Sequence, residues 1–311
     1  MKKIALILMM SILLSACSQN VAETTGQMTT DDQKHSVPLE DILSGGPPKD
    51  GIPSIDEPEF TSVADAEVFL EDDGIGLAVS FDGVDRFYPF QILVWHEIVN
   101  DTIGSQDALI TYCPLCGSGI VFDPTVNGET SEFGTSGKLW ESNLVMYDRQ
   151  TDSYWSQILG EAIVGEMTGA SLELLPHQNL RWKDWKAAHP NGEVLSRETG
   201  FDRNYTSTPY DSYELTENLY FPVSLQNNLY HSKAPVYGIE VDGKFKAYLI
   251  ENLQGGNFTD TLADVSLNID FDADTQEIHI QREDTGENIY PVYSFWFSWA
   301  AAHHETETYS N

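Results

Sequence analysis

Lysine and arginine are scarce in this chain: 16 against 49 aspartates and glutamates in 311 residues, a formal net charge of −33. With no clustered basic surface there is nothing to neutralise a phosphate backbone, so nucleic acid is excluded as a partner. Cysteine is scarcer still, with three residues. No glycine-rich phosphate loop, serine nucleophile elbow or His-Glu-x-x-His stretch is present, which removes the usual signatures of nucleotide binding, serine hydrolysis and zinc proteolysis. The regular strand–helix alternation of a doubly wound sheet is also missing. Apolar material is not lacking. Hydrophobic residues make up 41% and aromatics 11%, so disorder is excluded for the bulk of the chain. The length suits one large domain or two ordinary ones, and the acid surplus favours solubility and draws cations.

The N-terminus reads as an address. Lys2 and Lys3 precede an apolar run from Ile4 to Leu14 broken by Ser11. The run falls short of the roughly 20 residues needed to span a bilayer. It ends in Leu14-Ser15-Ala16-Cys17, small residues before a cysteine that resemble a bacterial lipobox. That resemblance implies cleavage before Cys17 and a diacylglyceryl thioether on its sulfur, so the expected partner is a membrane, held through the N-terminal lipid. Ser18 rather than an acidic residue after the cysteine points to outer-membrane delivery. The expected organisation is a signal peptide over 1–16, a lipidated flexible tether over 17–50 with a Gly45-Gly46-Pro47-Pro48 break, a first β-rich unit over 51–205, and a second, shorter unit over 206–311.

Cys113 and Cys116 remain, in Thr111-Tyr112-Cys113-Pro114-Leu115-Cys116-Gly117. Four readings of the pair stay open. A structural disulfide would close a tiny loop and contribute only about 2 kcal/mol. Thiol–disulfide exchange fits the spacing, although the segment after the pair reads as turn then strand rather than as a helix N-terminus. A metal site fits the knuckle-like turn. Zinc would need further ligands, whereas two thiolates, alone or with His or Met, suit a soft ion such as Cu(I). The fourth reading is a buried, inert pair. His96 is the candidate third ligand.

Short strands dominate the rest. Asp82-Gly83 between Ile75–Ser80 and Arg86–Phe90 is a strong hairpin signal, and Val126-Asn127-Gly128-Glu129 predicts another, joining Gly119–Asp123 to Thr130–Phe133. The apolar positions 92, 95, 98 and 99 fit a short helix over 91–101, and residues 182–189 form a helix stopped by Pro190. The fold class expected is α+β and β-rich, with short strands in mixed or antiparallel sheets and a few short helices. Two stretches also echo each other in order. Asp82-Gly83 through Tyr88 returns as Asp242-Gly243 through Tyr248, and Trp182, Trp185 and His189 return as Trp296, Trp299 and His303. The expectation is two related halves, the second degenerate and without the thiols. Among other polar residues, Glu97 and Asp101 are candidates for acid–base work, and Asp148 and Arg149 for an ion pair or a ligand contact. Met146 and the tryptophans Trp140, Trp155, Trp182 and Trp185 are expected in cores.

Taken in order, Trp95 to Thr102, the Cys113/Cys116 stretch, Met146 to Thr151, Trp155-Ser156-Gln157 and Leu195 to Gly200 resemble the bacterial and archaeal family called domain of unknown function 3179, from about Asp50 to Tyr309. The resemblance implies an envelope or secreted location and a retained Cys-Pro-Leu-Cys turn. It implies no established reaction, leaving enzyme and binding protein both open.

Overall fold

A computed structural model describes residues 27–310; the expected signal peptide and Cys17 lie outside the described residues. The described residues are strand-rich, with 42% strand, 11% helix and, among them, four short α-helices, as the density of β-branched and aromatic runs between turn residues requires. The strands form four principal sheets.

The Asp82-Gly83 hairpin forms as expected, joining Ile75–Phe81 to Val84–Pro89 with both turn residues left-handed, at φ 53° and 79°. This hairpin belongs to a five-stranded sheet that carries the helix Trp182–Ala188. Trp182 and Trp185 are one turn apart, so both indoles fall on one face. They pack on Phe87 with ring centroids 5.5 and 5.1 Å away.

Two expectations along the next segment are corrected. The helix over 91–101 is only Phe90–Leu93, and from Ile98 to Ile103 the chain is a strand. Glu97 sits between them at φ 61°, a left-handed residue that ends the helical path and turns β-branched residues into the sheet. The Asn127-Gly128 turn joins only Thr125–Val126 to Glu129–Thr130. Ser118–Asp123 instead pairs with Gln106–Cys113, with Glu173–Leu174 and, through Gly119 and Tyr293, with the strand Val292–Phe295. This last contact joins three strands before residue 124 and four after residue 234, with Glu173–Leu174, in one eight-stranded sheet.

The stretch expected as a tether is also corrected in part. Met28–Thr30, Gln33–His35 and Leu43–Ser44 are strands of a seven-stranded sheet completed by four strands between residues 133 and 164. His35 and Val37 are buried there. The Gly45-Gly46-Pro47-Pro48 break lies against Gly137, which has a left-handed φ of 70° and where a Cβ would collide with the Pro47 carbonyl oxygen. Only glycine fits at so close an approach.

The echo between the Asp-Gly turns extends to their contacts. Arg86 and Tyr88 both bond to Asp101, with the ion pair at 2.7 Å. Lys246 and Tyr248 both bond to Asp260, at 3.0 and 2.8 Å. Glu193, in a strand parallel to Val84–Pro89, reaches Arg86, as Glu307, in a strand parallel to Lys244–Leu249, reaches Lys246. The helices Trp182–Ala188 and Trp296–Ala302 both have seven residues. In each, the histidine after the helix donates its N–H to the carbonyl of the second tryptophan.

Candidate functional site

The Cys-Pro-Leu-Cys segment is the tight turn between Gln106–Cys113 and Ser118–Asp123. Cys116 N–H closes it on the Cys113 carbonyl at 3.1 Å. Gly117 turns the chain back at φ 58°, and a Cβ there would lie 2.7 Å from the Phe295 ring. The Phe295 N–H in turn donates to the Cys116 carbonyl. The second half of the chain therefore braces the turn.

A buried polar network fixes the strands behind it. Ser118 Oγ and Asn143 Nδ2 donate to Gln157 Oε1, at 2.8 and 2.9 Å, and Gln157 Nε2 donates to Thr111 Oγ1 and the Ser118 carbonyl. Each member is satisfied inside the core, which makes the network specify one arrangement of the turn against the neighbouring sheet.

Both cysteines carry free thiols and are buried, Cys113 2% exposed and Cys116 fully enclosed. Their side chains are hydrogen-bonded to each other, the Leu144 N–H donates to Cys113 Sγ, and Cys116 Sγ donates to the Ser142 carbonyl at 3.4 Å. Burial first, then the bond to Cys116 and the nearby Glu97 carboxyl, hold the Cys113 thiol well above its ordinary pKa.

Cys113 stands in the wall of a largely apolar cavity of about 340 Å³. The cavity is framed by the Gly45–Ile52 segment, the end of the Phe90–Leu93 helix, the Cys turn and the loop from Arg203 to Tyr210. Cys116 lies behind the wall. Glu97 is in the wall too. Its desolvation pushes its carboxyl up to about 8, against the pull of a hydrogen bond with Tyr210. Tyr210 and Tyr213 have their own pKa values raised, chiefly by burial. Among the described residues, Ser142 Oγ has no hydrogen-bond partner.

The structure separates the other candidates from this centre. His96 is fully buried, but its ring is engaged on both sides: Nδ1 with the Pro53 carbonyl at 2.8 Å and Nε2 with Tyr205 Oη at 2.7 Å. Burial lowers its pKa to about 4. It is a satisfied core histidine and has no free nitrogen for an ion beside the thiols. Among the described residues no group of three or more His, Cys, Asp or Glu side chains converges on a metal position, so the three-ligand site is not assembled. Asp101 is bound to Arg86 and Tyr88. Asp148 accepts from Thr151 and from Trp155 Nε1, while Arg149 pairs with Asp56 at 2.8 Å and Glu132 at 3.2 Å. Met146 is enclosed in the same core as Trp155 and the cysteines.

Gln157, Tyr210 and Tyr213 were not singled out by the sequence. Gln157 carries a signal only as part of Trp155-Ser156-Gln157. The tyrosines lie in the aperiodic stretch after residue 200, where its length and irregularity are the only hint.

The hairpin turn at Asp272–Gln276 offers a comparison. Asp272 pairs with Glu277 as Cys113 does with Ser118, and Gln276 is left-handed at φ 65° where Gly117 is at 58°. It has no thiol: Asp272 Oδ1 accepts from the N–H groups of Asp274 and Thr275, a self-capped turn.

A family profile described as protein of unknown function (DUF3179) matches residues 49–289, more than half of the chain. No curated protein and no solved structure matches it.

Proposed function

The chain belongs to the family of proteins of unknown function DUF3179, and because that membership assigns no reaction, we propose from the site itself that Cys113 and Cys116 form a thiol–disulfide couple of an envelope-anchored protein. One observation carries the reading: Cys113 lines the cavity, Cys116 is bonded to it from behind, and Glu97 stands in the same wall. Exchange needs this asymmetry and a base, because burial holds the Cys113 thiol un-ionised at neutral pH. Cys113 attacks a sulfur of a substrate disulfide and releases the other substrate sulfur as a thiol. Cys116 then displaces the second, leaving a Cys113–Cys116 disulfide and a reduced substrate. Both cysteine protons must leave for this. A carboxyl near 8 rather than 4.5 holds a proton at one stage and gives it up at the next close to neutral pH.

The test is equilibration of the full chain in glutathione buffers with mass-tagging of free thiols. A midpoint above roughly −300 mV, with a mixed disulfide trapped on Cys113 in Cys116→Ser, is expected. Thiols that never form a disulfide, or a disulfide that glutathione cannot reduce, would exclude the couple.

A second reading has its own support. Two interacting thiols in one turn supply the two sulfurs that Cu(I) accepts, whereas zinc lacks its further ligands. It takes over if the full chain binds Cu(I) through both thiols and shows no exchange.

Anchoring through Cys17 completes the proposal. Cys17→Ser is expected to move the protein out of the membrane fraction, and unchanged membrane retention would remove the anchor.

We further infer that the two halves descend from one duplicated unit. The paired Arg86/Lys246, Asp101/Asp260 and Glu193/Glu307 contacts support this, as do the matched helices and the equal turns at Cys113–Gly117 and Asp272–Gln276. On this reading the second unit retains scaffold and lacks the thiols, which singles the thiols out as function.

A further inference from the structure

The cavity beside Cys113 has a second chemical feature that thiol exchange does not use. Lys138 and Arg203 both stand in its wall. In a chain with three acids for every base, several cations are paired within the protein: Arg86 reaches Asp101 and Glu193, Arg149 reaches Asp56 and Glu132, and Arg282 reaches Asp242 and Asp284. Among the described residues, Lys138 forms no ion pair. Among the same residues, the Arg203 side chain bonds to the neighbouring Asp202 carbonyl at 3.3 Å and acts electrostatically on His96 and Tyr205. Both are half-buried, so water screens them less than it screens a surface lysine. The remaining wall is largely apolar, with Ile52, Trp95, Leu115 and Leu139 among its side chains. At about 340 Å³ the space is at the small end of ligand sites and suits one ring with a short chain rather than a peptide segment.

We propose that this cavity binds a small apolar carboxylate, with its anionic head between Lys138 and Arg203 and its apolar body against Trp95 and Leu115. The carboxylate supplies these two cations with the kind of acidic partner that Arg86, Arg149 and Arg282 find within the protein, in a charge-assisted pair. The body displaces water from a surface that offers it few hydrogen bonds. Binding needs no thiol chemistry and stands apart from the exchange reading; if both hold, the carboxylate is the class of molecule brought to Cys113.

The experiment uses the full lipidated chain in nanodiscs, with empty nanodiscs as background, and phenylbutyrate as the probe beside its uncharged analogue phenylbutanol. Equilibrium dialysis is expected to show saturable binding of phenylbutyrate and at least about tenfold weaker binding of phenylbutanol. Lys138→Met combined with Arg203→Met is expected to lose about the same factor for the acid and to leave the alcohol unchanged. Val94→Trp, which fills the cavity from its wall, is expected to abolish both, provided its circular dichroism matches the wild type. Phenylbutyrate binding is measured on the same reduced wild-type sample that is equilibrated in glutathione buffers, so a protein that binds the acid but never forms a disulfide upholds this proposal while the thiol couple fails. Absence of saturable binding, equal affinity for acid and alcohol, or an unchanged affinity in the double methionine variant overturns it.

Discussion

Replacing Glu97 by glutamine tests the electrostatics of the site most directly. The carboxyl is held near 8 in the folded protein, against an ordinary 4.5, because burial penalises its charge more than the Tyr210 bond favours it. The folded state thus binds this proton more tightly than the unfolded state. The stability linked to it is fully present below about pH 4.5, is lost as pH rises through about 8, and is level beyond. A span of 3.5 pH units at about 1.36 kcal/mol each gives about 5 kcal/mol. Glutamine has nearly the same shape and keeps an oxygen for Tyr210 but cannot ionise.

Glu97→Gln is therefore expected to match the wild type near pH 4 and to exceed it by several kcal/mol at pH 9. Urea unfolding of both proteins at intervals between these limits measures the difference. His96, His177 and His303, lowered to about 4 by burial, titrate with the opposite sign: their contribution is present above 6.5 and is lost as pH falls through 4. They act equally in both proteins and cancel from the difference. A difference that stays flat from pH 4 to 9 would refute a buried, protonated Glu97.

Two further substitutions probe the frame around the site. Gly117→Ala places a Cβ against Phe295 at a left-handed φ and is expected to cost about 1–3 kcal/mol, with faster alkylation of Cys113 as the turn loosens; a neutral effect on both readouts would show that the brace is unimportant. Arg86→Met leaves Asp101 buried beside Tyr88 without its cation and is expected to destabilise by about 3–5 kcal/mol. Lys246→Met should act in the same direction through Asp260, and thermal melts showing either variant as stable as the wild type would contradict the assigned pairs.

How much was legible in the sequence follows the range of the forces involved. The Asp-Gly hairpins and the Trp-x-x-Trp helices were readable because a left-handed turn residue and an indole face are properties of a few neighbouring residues. The β-rich class followed from the same local signals, and the Cys113/Cys116 turn from composition alone, since few thiols compete for attention. The helix expected over 91–101 failed at Glu97, where Ile98 and Val99 gain more from pairing with Ile110 and Thr111 than from a helical face. Periodicity over so few residues does not distinguish the two. His96 was nominated as a ligand because its partners, Pro53 and Tyr205, are 43 and 109 residues away. The cavity was invisible for the same reason: its wall joins residues near 50, 97, 113, 138 and 203, brought together only when two sheets and the loops between them pack. The sequence by itself determined the local turns, the helix faces and the identity of the thiols. Tertiary structure alone decided what surrounds them, because desolvation and pairing depend on distance in space and carry no fixed spacing along the chain.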